Sequence, residues 1–410
     1  MNPKHRVCIF FFLLMGMLSF KNDTADPLSA FYISGYAQGT TYHITFFAHD
    51  SLVVKRQIDS LLDNIDSSLS IYKPYSIISR FNSAAEGIQM DEHLNKVVRR
   101  SLEIYKATGG ISDITVYPLM DLWGFGPRHA STAPDSPTNP DSSTVTDSPT
   151  TPHSPTNPDS STVTDSPTTP HYQTVTDLST APDCPTNLNS SMVTDTPTTP
   201  HPPAHPDSLM VRTTMACVGS DKIHIRDRWL LKDKPCVKID VNSIAQGYSV
   251  DVVAGFLESR GIKNYIVEVG GELRVKGKKY PGGTTLQIGI EAPAQNSLDA
   301  PVIEKIVHVD HGAITTSGNY RKYYEINGKK ISHLMDPRTG YPFQNELISV
   351  TVYAHDAITA DGYDNALMGM GLQKAFAFLR RHPGLEAYFI YHREGGEMTD
   401  TATAGFYKLM

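Results

Sequence analysis

Polar and apolar residues follow two different rhythms in the first part of this chain. Between residues 36 and 47 they alternate one by one, which predicts a β-strand. Apolar positions between residues 52 and 69 recur every three or four residues, which predicts a helix. A second helix is predicted over residues 91–108, because Gly109 and Gly110 follow it as a C-terminal cap.

The second half of the chain predicts shorter elements. Residues 237–241 predict a short strand, and the helix that follows runs to Arg260 and stops at Gly261. Further strands are predicted at 265–269, 285–291, 306–309, 323–334 (a hairpin turning at Asn327-Gly328), 347–353 and 387–391, and helices at 357–369 and 373–380. Strands and helices mix without strict βαβ alternation, which favours an α+β fold over a doubly wound sheet.

A polar, repetitive stretch interrupts this pattern. Residues 136–153 read SPTNPDSSTVTDSPTTPH, residues 154–171 repeat them letter for letter, and a diverged copy follows. Such a composition has too little apolar material to offset its ordering entropy, so residues 128–207 are predicted to be a disordered insertion. A glycosylated spacer or an adhesive arm is the functional alternative. The globular sequence then consists of a first part, 30–127, and a second part, 208–410.

The N-terminus has the character of a targeting segment. Lys4 and Arg6 precede an apolar run over residues 7–20, which is short for a membrane span. Residues 1–25 are therefore predicted to be a signal peptide or an N-terminal anchor. The expected location is outside the cytoplasm, in the periplasm or at the outer face of the inner membrane.

The net charge and the cysteine content give no support for a nucleic-acid-binding protein, a zinc protein or a disulfide-rich protein. The 410 residues carry a net charge of −7, so no basic surface points to a nucleic-acid partner. Cys184, Cys217 and Cys236 have no CxxC spacing, which indicates neither a zinc site nor a disulfide framework. Cys217 and Cys236 lie in apolar contexts and are predicted to be small core residues. A disulfide between them in an oxidising compartment stays open.

The strongest chemical signal is T-A-D-G-Y-D-N-A, residues 359–366. Asp361 and Asn365 are four residues apart and share one face of a helix, with Asp364 beside them. Oxygen ligands grouped in this way suit Mg²⁺, which combines few carboxylates with phosphate oxygens. The alternative is a first helical turn whose acids only complement the helix dipole.

A second signal is K-I-D-V-N-S-I-A-Q-G-Y, residues 238–248. A strand is predicted to end at Asp240 and a helix to open near Ser243, where backbone N–H groups favour an anion such as a pyrophosphate. Gly247 has no side chain and allows a ligand to approach closely. A capped strand–turn–helix without a ligand is the alternative.

Three weaker signals surround these two. In G-G-I-S-D-I-T and the following P-L-M-D-L-W-G-F-G-P, Trp123 and Phe125 would hold a heteroaromatic ring or lie in the core. T-T-S-G-N-Y and S-H-L-M-D-P-R-T-G are either ligand loops or plain turns. The sequence contains no P-loop, G-x-S-x-G, HExxH or dinucleotide fingerprint.

Taken in order, these motifs resemble the FAD:protein FMN transferases of the ApbE family. The resemblance also rests on A-Q-G-T-T-Y, L-S-I-Y-K-P-Y-S-I-I-S-R-F-N, V-G-S-D-K-I-H-I, D-V-N-S-I-A-Q-G-Y and E-V-G-G-E-L-R-V-K-G. It covers the sequence from about residue 32 to the end, apart from the insertion. It implies an α+β, T-fold-related architecture of two subdomains, with mixed sheets, flanking helices and an FAD cleft between the subdomains.

The resemblance also implies a set of site residues. Mg²⁺ would be held by Asp361, Asn365 and an oxygen of Ser243, and Asp361 or Asp364 would assist the proton. His333 and Asp336 would lie close to the pocket. The implied FAD contacts are Gln38, Tyr72, Ile111, Ser112, Asp113, Asp240, Gln246 and Met335. Three positions depart from the family pattern, which often has Thr at Asn365, Met at Gln38, and Lys or Glu at Gln246.

The activity implied is transfer of FMN from FAD to a Ser or Thr of an exported acceptor protein, with release of AMP. The expected acceptor is a flavinylated subunit of a membrane redox complex. One alternative is an FAD pyrophosphatase, in which water attacks at the same site. The other is a non-catalytic flavin-binding or surface-interaction protein. The sequence leaves the oligomeric state open.

Overall fold

The computed structural model describes residues 28–127, 205–293, 302–320, 323–326 and 329–410. The strands are β1 Ser29–Ala37, β2 Thr40–Ala48, β3 Gly87–Gln89, β4 Ile223–Arg226, β5 Trp229–Lys232, β6 Asn264–Val269, β7 Glu272–Lys276, β8 Leu286–Glu291, β9 Ile303–Val309, β10 His311–Gly318, β11 Tyr323–Ile326, β12 Lys329–Ser332, β13 Leu347–Ala354, β14 Glu386–His392 and β15 Met398–Ala402. The helices are α1 Lys55–Leu69, α2 Ile77–Ser83, α3 Glu92–Thr108, α4 Tyr117–Leu122, α5 Ser208–Met215, α6 Asn242–Ser259, α7 Ala357–Met370, α8 Leu372–Leu379 and α9 Ala404–Tyr407. The predicted targeting segment 1–25 and residues 128–204 of the predicted insertion lie outside the described residues.

An eight-stranded sheet organises the molecule, in the order β1-β2-β6-β7-β10-β13-β14-β15. The resemblance implied mixed sheets, yet every strand pair within the described residues is antiparallel. Antiparallel neighbours need no helical crossover, so helices can gather on one face of the sheet. The predicted α+β class is confirmed.

The two faces of the sheet bury different clusters. On one face α1, α6 and α7 pack on the inward side chains of β2, β6 and β13, such as Tyr42 and Val350, to form the main core. On the other face the β8–β9 hairpin and α9 cover a smaller cluster that includes Val307, Tyr388 and Phe406. Burying each such side chain contributes about 1.5–3 kcal/mol, so the sheet is fixed from both sides.

The first part of the chain confirms the helices and corrects the strand. Asp91 caps α3 by accepting a hydrogen bond from the Leu94 N–H (2.8 Å), and Gly109 ends it with φ +62°. The strand predicted at 36–47 is interrupted, because Gln38 and Gly39 both have positive φ (56° and 75°). Two successive positive φ values form the tight turn of a hairpin, so β1 and β2 replace one strand.

The strand predicted at 237–241 is wrong, since this extended segment pairs with no strand of the described residues. The backbone groups of this segment form hydrogen bonds with a side chain and with a loop. The Asn82 side chain exchanges two hydrogen bonds with the Ile239 backbone (2.8 and 2.9 Å), and the Asp240 N–H donates to the Ile114 carbonyl (2.7 Å). Side-chain and loop partners therefore replace a ladder.

The cysteines and the helices complete the comparison. Cys217 and Cys236 form a disulfide with Cα atoms 5.4 Å apart, and neither is buried, so the predicted core role is wrong. Within the part of the chain that the structure describes, no helix has both the length and the apolar character needed to span a bilayer.

Candidate active site

The closest approach of α6 and α7 brings the two strongest motifs together. A methyl group on Gly247 would lie 2.6 Å from Cβ of Asp361, so only glycine permits this crossing. The Gly247 N–H donates to Oδ2 of Asp361 at 2.8 Å. Helix geometry points the same N–H at the Ser243 carbonyl. The Ser243 carbonyl and the Asp361 carboxylate therefore lie on the same side of α6.

The two acids of α7 are deeply buried. Asp361 is 4 % exposed and Asp364 1 %. Burial raises the pKa of Asp361 to about 7, and the nearby negative charge of Asp251 adds to the rise. Burial, followed by the charges of Asp361 and Glu272, raises the pKa of Asp364 well above its ordinary value. Both carboxylates lie where their ionised forms are disfavoured unless a positive charge is close.

One carboxylate oxygen of this cluster has no hydrogen bond of normal geometry among the described residues, although the Thr315 hydroxyl and the Asn365 N–H both lower the pKa of Asp364. Oδ1 of Asp364 and the hydroxyl of Thr315, on β10, are buried without a hydrogen-bond partner among the described residues. Next to them, the Ser317 hydroxyl donates to Oδ1 of Asn365 at 2.6 Å. A buried polar atom left unpaired costs about 1–3 kcal/mol, which makes this oxygen a candidate ligand for something not made of protein.

The donor set of the cluster is made of oxygen. Carboxylate, amide and backbone carbonyl oxygens suit a hard cation such as Mg²⁺. Over the described ranges, no three His, Cys, Asp or Glu side chains are grouped as a metal site. The predicted set, Ser243, Asp361 and Asn365, contains only one residue of those types, and substrate oxygens would have to complete it.

The loop that carries Asp113 lies beside Asp240, whose N–H donates to the Ile114 carbonyl at 2.7 Å. These two segments, together with Tyr72, are called the wall of the site, and the Asp113 carboxylate is fully engaged within it. This carboxylate accepts hydrogen bonds from the N–H and hydroxyl of Thr115 (2.8 and 2.7 Å) and from the N–H and hydroxyl of Ser220 (2.9 and 2.6 Å). These four bonds fasten the loop after α3, with Ile111 and Ser112, to the turn that begins at Ser220. Asp113 thus shapes this loop.

Tyr72 and Asp240 form the neighbouring part of the wall. Asp240 is 7 % exposed, and its Oδ1 accepts from the Asn242 N–H at 2.8 Å. Partial burial, followed by the negative charge of Asp240, raises the pKa of Tyr72. The Tyr72 side chain remains 53 % exposed, so its ring is available for stacking.

A cavity of about 710 Å³ lies beside this wall. Tyr117, Lys238 and the two bridged cysteines line it, and Nζ of Lys238 lies 5.6 Å from the centroid of the Tyr117 ring. Tyr117 also acts electrostatically on Tyr72. Lys238 precedes Asp240 by two residues, so the cavity adjoins the segment that carries Asp240.

Of the two predicted glutamines, Gln38 belongs to the β1–β2 turn and Gln246 lies on α6. Nε2 of Gln38 donates to the Ser249 hydroxyl at 2.8 Å, while Oε1 of Gln38 is buried without a partner among the described residues. Gln246 packs against the turn between β6 and β7, where a methyl group on Gly270 would lie 2.5 Å from its Nε2. Both amides therefore border the first half of α6.

Met335 belongs to a separate small cluster. It packs with Trp123, which is 2 % exposed and whose indole N–H donates to the Gly340 carbonyl at 2.9 Å. Of the two predictions for Trp123, the core residue is confirmed. Asp336 is paired with Arg338 at 2.8 Å, and the His333 ring lies 6.3 Å from that of Phe125.

Sequence reasoning missed Asp251 and Arg274. Asp251 accepts hydrogen bonds from the N–H groups of Ala357 and Ile358, at the start of α7, and pairs with Arg274 of β7 at 2.8 Å. The only signal in the sequence was the position of Asp251, one helical turn after Gly247.

Comparison with known proteins decides the family. The sequence model of the ApbE family matches residues 38–154 and 186–389, more than half of the chain. The chain belongs to the ApbE family. The unmatched gap lies inside the predicted insertion.

Relatives agree over most of the length. An FAD:protein FMN transferase of Vibrio cholerae is 31 % identical over 86 % of this chain and 84 % of its own. One of Haemophilus influenzae is 30 % identical over 91 % of this chain and 89 % of its own. The solved structure of flavin transferase ApbE from Vibrio cholerae superimposes with a TM-score of 0.68 at 27 % identity, covering 94 % of this chain and all of the other. The predictions of this family and of an enzyme of the transferase class are confirmed.

Proposed function

We propose that this chain is a Mg²⁺-dependent FAD:protein FMN transferase that attaches FMN to a Ser or Thr of an exported acceptor and releases AMP. The names of its relatives support the flavin chemistry. The observation that carries the proposal for this chain is the buried cluster on α7, where Asp361 and Asp364 are 4 % and 1 % exposed and burial disfavours their ionised forms unless a cation is close.

The residues present fit a divalent cation. Asp361, Asn365 and the Ser243 carbonyl would hold it, with Asp364 adjacent, and their oxygens match the preference of Mg²⁺. Bound there, Mg²⁺ supplies neutralisation of the charge that develops on the pyrophosphate oxygens. A purely structural cluster would give no reason to bury two acids next to each other, because their ionised forms are costly in the interior.

The protein would bind FAD along the wall that joins this cluster to Tyr72. The N-cap residue of α6, Val241, offers no capping side chain, and Asp240 accepts a hydrogen bond from the Asn242 N–H at 2.8 Å. The N–H groups that follow in the first turn favour the pyrophosphate. Tyr72 offers a half-exposed ring to a flat partner. The proposed contacts remain Gln38, Tyr72, Ile111, Ser112, Asp113, Asp240, Gln246 and Met335, in which Asp113 acts by holding its loop.

The transfer itself is a substitution at phosphorus. The acceptor hydroxyl oxygen forms a bond to the FMN phosphorus, the bond from that phosphorus to the bridging oxygen breaks, and AMP leaves with that oxygen. Asp361 or Asp364 receives the hydroxyl proton. The protein contributes mainly by fixing the two reacting groups in line, which is the larger share of catalysis in phosphoryl transfer.

We further propose one catalytic domain made of residues 30–127 and 208–410, with residues 128–207 as an insertion. Contacts between the two parts support this. Nζ of Lys232 donates to the Phe81 carbonyl at 3.0 Å, Asn82 bonds to Ile239, and Asp113 bonds to Ser220. These interactions form only when both parts fold together.

Export is the proposed location. The apolar N-terminal run behind Lys4 and Arg6 supports a signal peptide or anchor over residues 1–25. The Cys217–Cys236 bridge supports it independently, because disulfides persist in oxidising compartments. The acceptor would then be an exported subunit of a membrane redox complex.

The test combines purified protein, FAD, Mg²⁺ and an acceptor domain, followed by a denaturing gel that detects covalent flavin fluorescence. Asp361→Ala is expected to abolish labelling, because the cluster loses a carboxylate at its centre. Asp63→Ala removes the same charge from the exposed face of α1 and should label like wild type. Labelling by Asp361→Ala at the wild-type rate would refute the proposed site. Rapid release of FMN and AMP without an acceptor would instead favour the pyrophosphatase.

A further inference from the structure

Two acids, Asp356 and Asp251, bind the backbone N–H groups at the N-terminus of α7, where one capping residue would be enough. Its own cap, Asp356, already accepts a hydrogen bond from the Thr359 N–H at 3.1 Å. Asp251 of α6 adds two more, from the N–H groups of Ala357 (3.0 Å) and Ile358 (2.9 Å). The first turn of α7 is therefore tied to another helix as well as to its own cap.

Asp251 works together with Gly247, one turn earlier on α6. Gly247 lets α7 approach and bonds to Asp361, while Asp251 bonds to the N–H groups four and three residues before Asp361. Two attachments spaced by one helical turn fix both the rotation of α7 about its axis and its position along α6. A single attachment would leave α7 free to pivot.

Arg274 ties the same carboxylate to the sheet. Its guanidinium lies 2.8 Å from Oδ1 of Asp251, and the two side chains are only 20 % and 10 % exposed. Behind it, Glu258 lies 3.7 Å from Arg274 and accepts a hydrogen bond from the Tyr265 hydroxyl at 2.6 Å. A shielded pair of this kind is held in one geometry, unlike a solvated surface pair.

The ion pair thus joins the three elements that carry the acidic cluster. Ser243 lies on α6, Asp361 and Asn365 lie on α7, and Glu272, whose charge acts on Asp364, begins β7. If α7 shifted along α6, Asp361 and Asn365 would change their separation from Ser243 and Glu272. Oxygen ligands of Mg²⁺ tolerate little displacement, since the ion demands near-ideal octahedral geometry.

We propose that Asp251 and Arg274 are positioning residues that set the affinity of the α7 cluster for its divalent cation and leave flavin recognition unaffected. This inference rests on the proposed function. In variants of Asp251 or Arg274, the Mg²⁺ concentration that half-saturates transfer should rise, whereas the KM for FAD should stay the same. A loss of general stability would not separate them in this way.

The test compares Asp251→Asn with Glu258→Gln. Asp251→Asn keeps an acceptor for the α7 N–H groups but loses the ionic bond to Arg274, so the half-saturating Mg²⁺ concentration should rise about tenfold, the size typical of losing an outer-shell partner. Glu258→Gln alters the same network without touching α7 and should stay within about twofold of wild type. A second readout is the rise in melting temperature on adding MgCl₂, measured with and without FAD, which needs no turnover.

The outcomes separate the two proposals. Equal Mg²⁺ responses in folded Asp251→Asn and wild type, by both readouts, would overturn the positioning role. If Asp251→Asn does not fold, Arg274→Lys, which keeps the charge but not the planar fork, must show the same selective weakening or the inference fails. If wild type labels no acceptor yet melts higher with MgCl₂, and Asp251→Asn melts higher only at about tenfold more, the positioning role stands and the transferase proposal does not.

Discussion

Replacing Gly247 by alanine tests whether the crossing of α6 and α7 holds the cluster in place. The added methyl group would lie 2.6 Å from Cβ of Asp361 and 2.7 Å from the carbonyl carbon of Ala357. Carbon atoms in contact lie about 3.5–4.0 Å apart, so the helices must separate by roughly 1 Å. The obstacles are backbone and Cβ atoms, which a change of rotamer cannot move.

Three contributions set the expected size of the effect. Overpacking costs about 1–3 kcal/mol, and loss of the bond from the Gly247 N–H to the Asp361 carboxylate about 1.5–3 kcal/mol. In the opposite direction, alanine stabilises a helix interior by about 1 kcal/mol relative to glycine. The sum is a loss of about 3 kcal/mol in the free energy of unfolding, or a fall in melting temperature of about 5 °C for a domain of this size.

Gly255 offers a matched control on the same helix. A methyl group there meets no atom within 4 Å, so Gly255→Ala should be stabilised by about 0.5–1 kcal/mol. Thermal unfolding followed by circular dichroism compares the two variants, and flavin labelling at saturating Mg²⁺ shows whether Gly247→Ala also loses activity. The reasoning is refuted if both variants melt alike, or if Gly247→Ala melts and labels like wild type.

Two further predictions concern the ligand-free protein. Because burial raises the pKa of Asp361 from 3.8 to about 7, the folded state holds a proton that the unfolded chain releases, and this contribution to stability falls as pH rises through that window. Without Mg²⁺, the melting temperature of wild type should therefore fall more between about pH 5 and 7.5 than that of Asp361→Asn, and equal slopes would contradict the assignment. Reduction of the Cys217–Cys236 bridge, whose cysteines are 19 residues apart, should cost about 3 kcal/mol, measured as a lower melting temperature in dithiothreitol. A Cys217→Ser/Cys236→Ser variant should not respond to the reductant, and a response would point to another cause.

Local signals in the sequence were enough to predict where the long helices begin and end. The acid and glycine that bound α3, Asp91 and Gly109, act through their own backbone neighbours, so their effect is visible without the fold. The spacing of Asp361 and Asn365 likewise placed both on one face of α7. The sequence did not predict the β1–β2 hairpin turn, because its first position is taken by Gln38. Glutamine is not a residue typical of positive φ, whereas the Gly39 that follows it is.

Contacts between segments that are distant in the chain could not be predicted from the sequence. Residues 237–241 have the composition of a strand, yet the side chain of Asn82 bonds where a neighbouring strand would. In the candidate site, the Gly247 N–H on Asp361 and the Asp251–Arg274 pair join residues separated by 114 and 23 positions. Periodicity reports which face of an element is apolar, but it does not report which element packs against it.

The acids of α7 oppose folding as long as the site holds no cation. Asp364 is surrounded by the charges of Asp361 and Glu272, and each of them disfavours its ionised form. Protonation relieves this repulsion in the ligand-free protein, and a divalent cation would relieve it with the carboxylates ionised. Any rise in stability on cation binding then equals the repulsion removed plus the bonds gained. The negative charge of Asp251 adds to this repulsion, yet its bonds to the Ala357 and Ile358 N–H groups and to Arg274 hold the first turn of α7 in place against it.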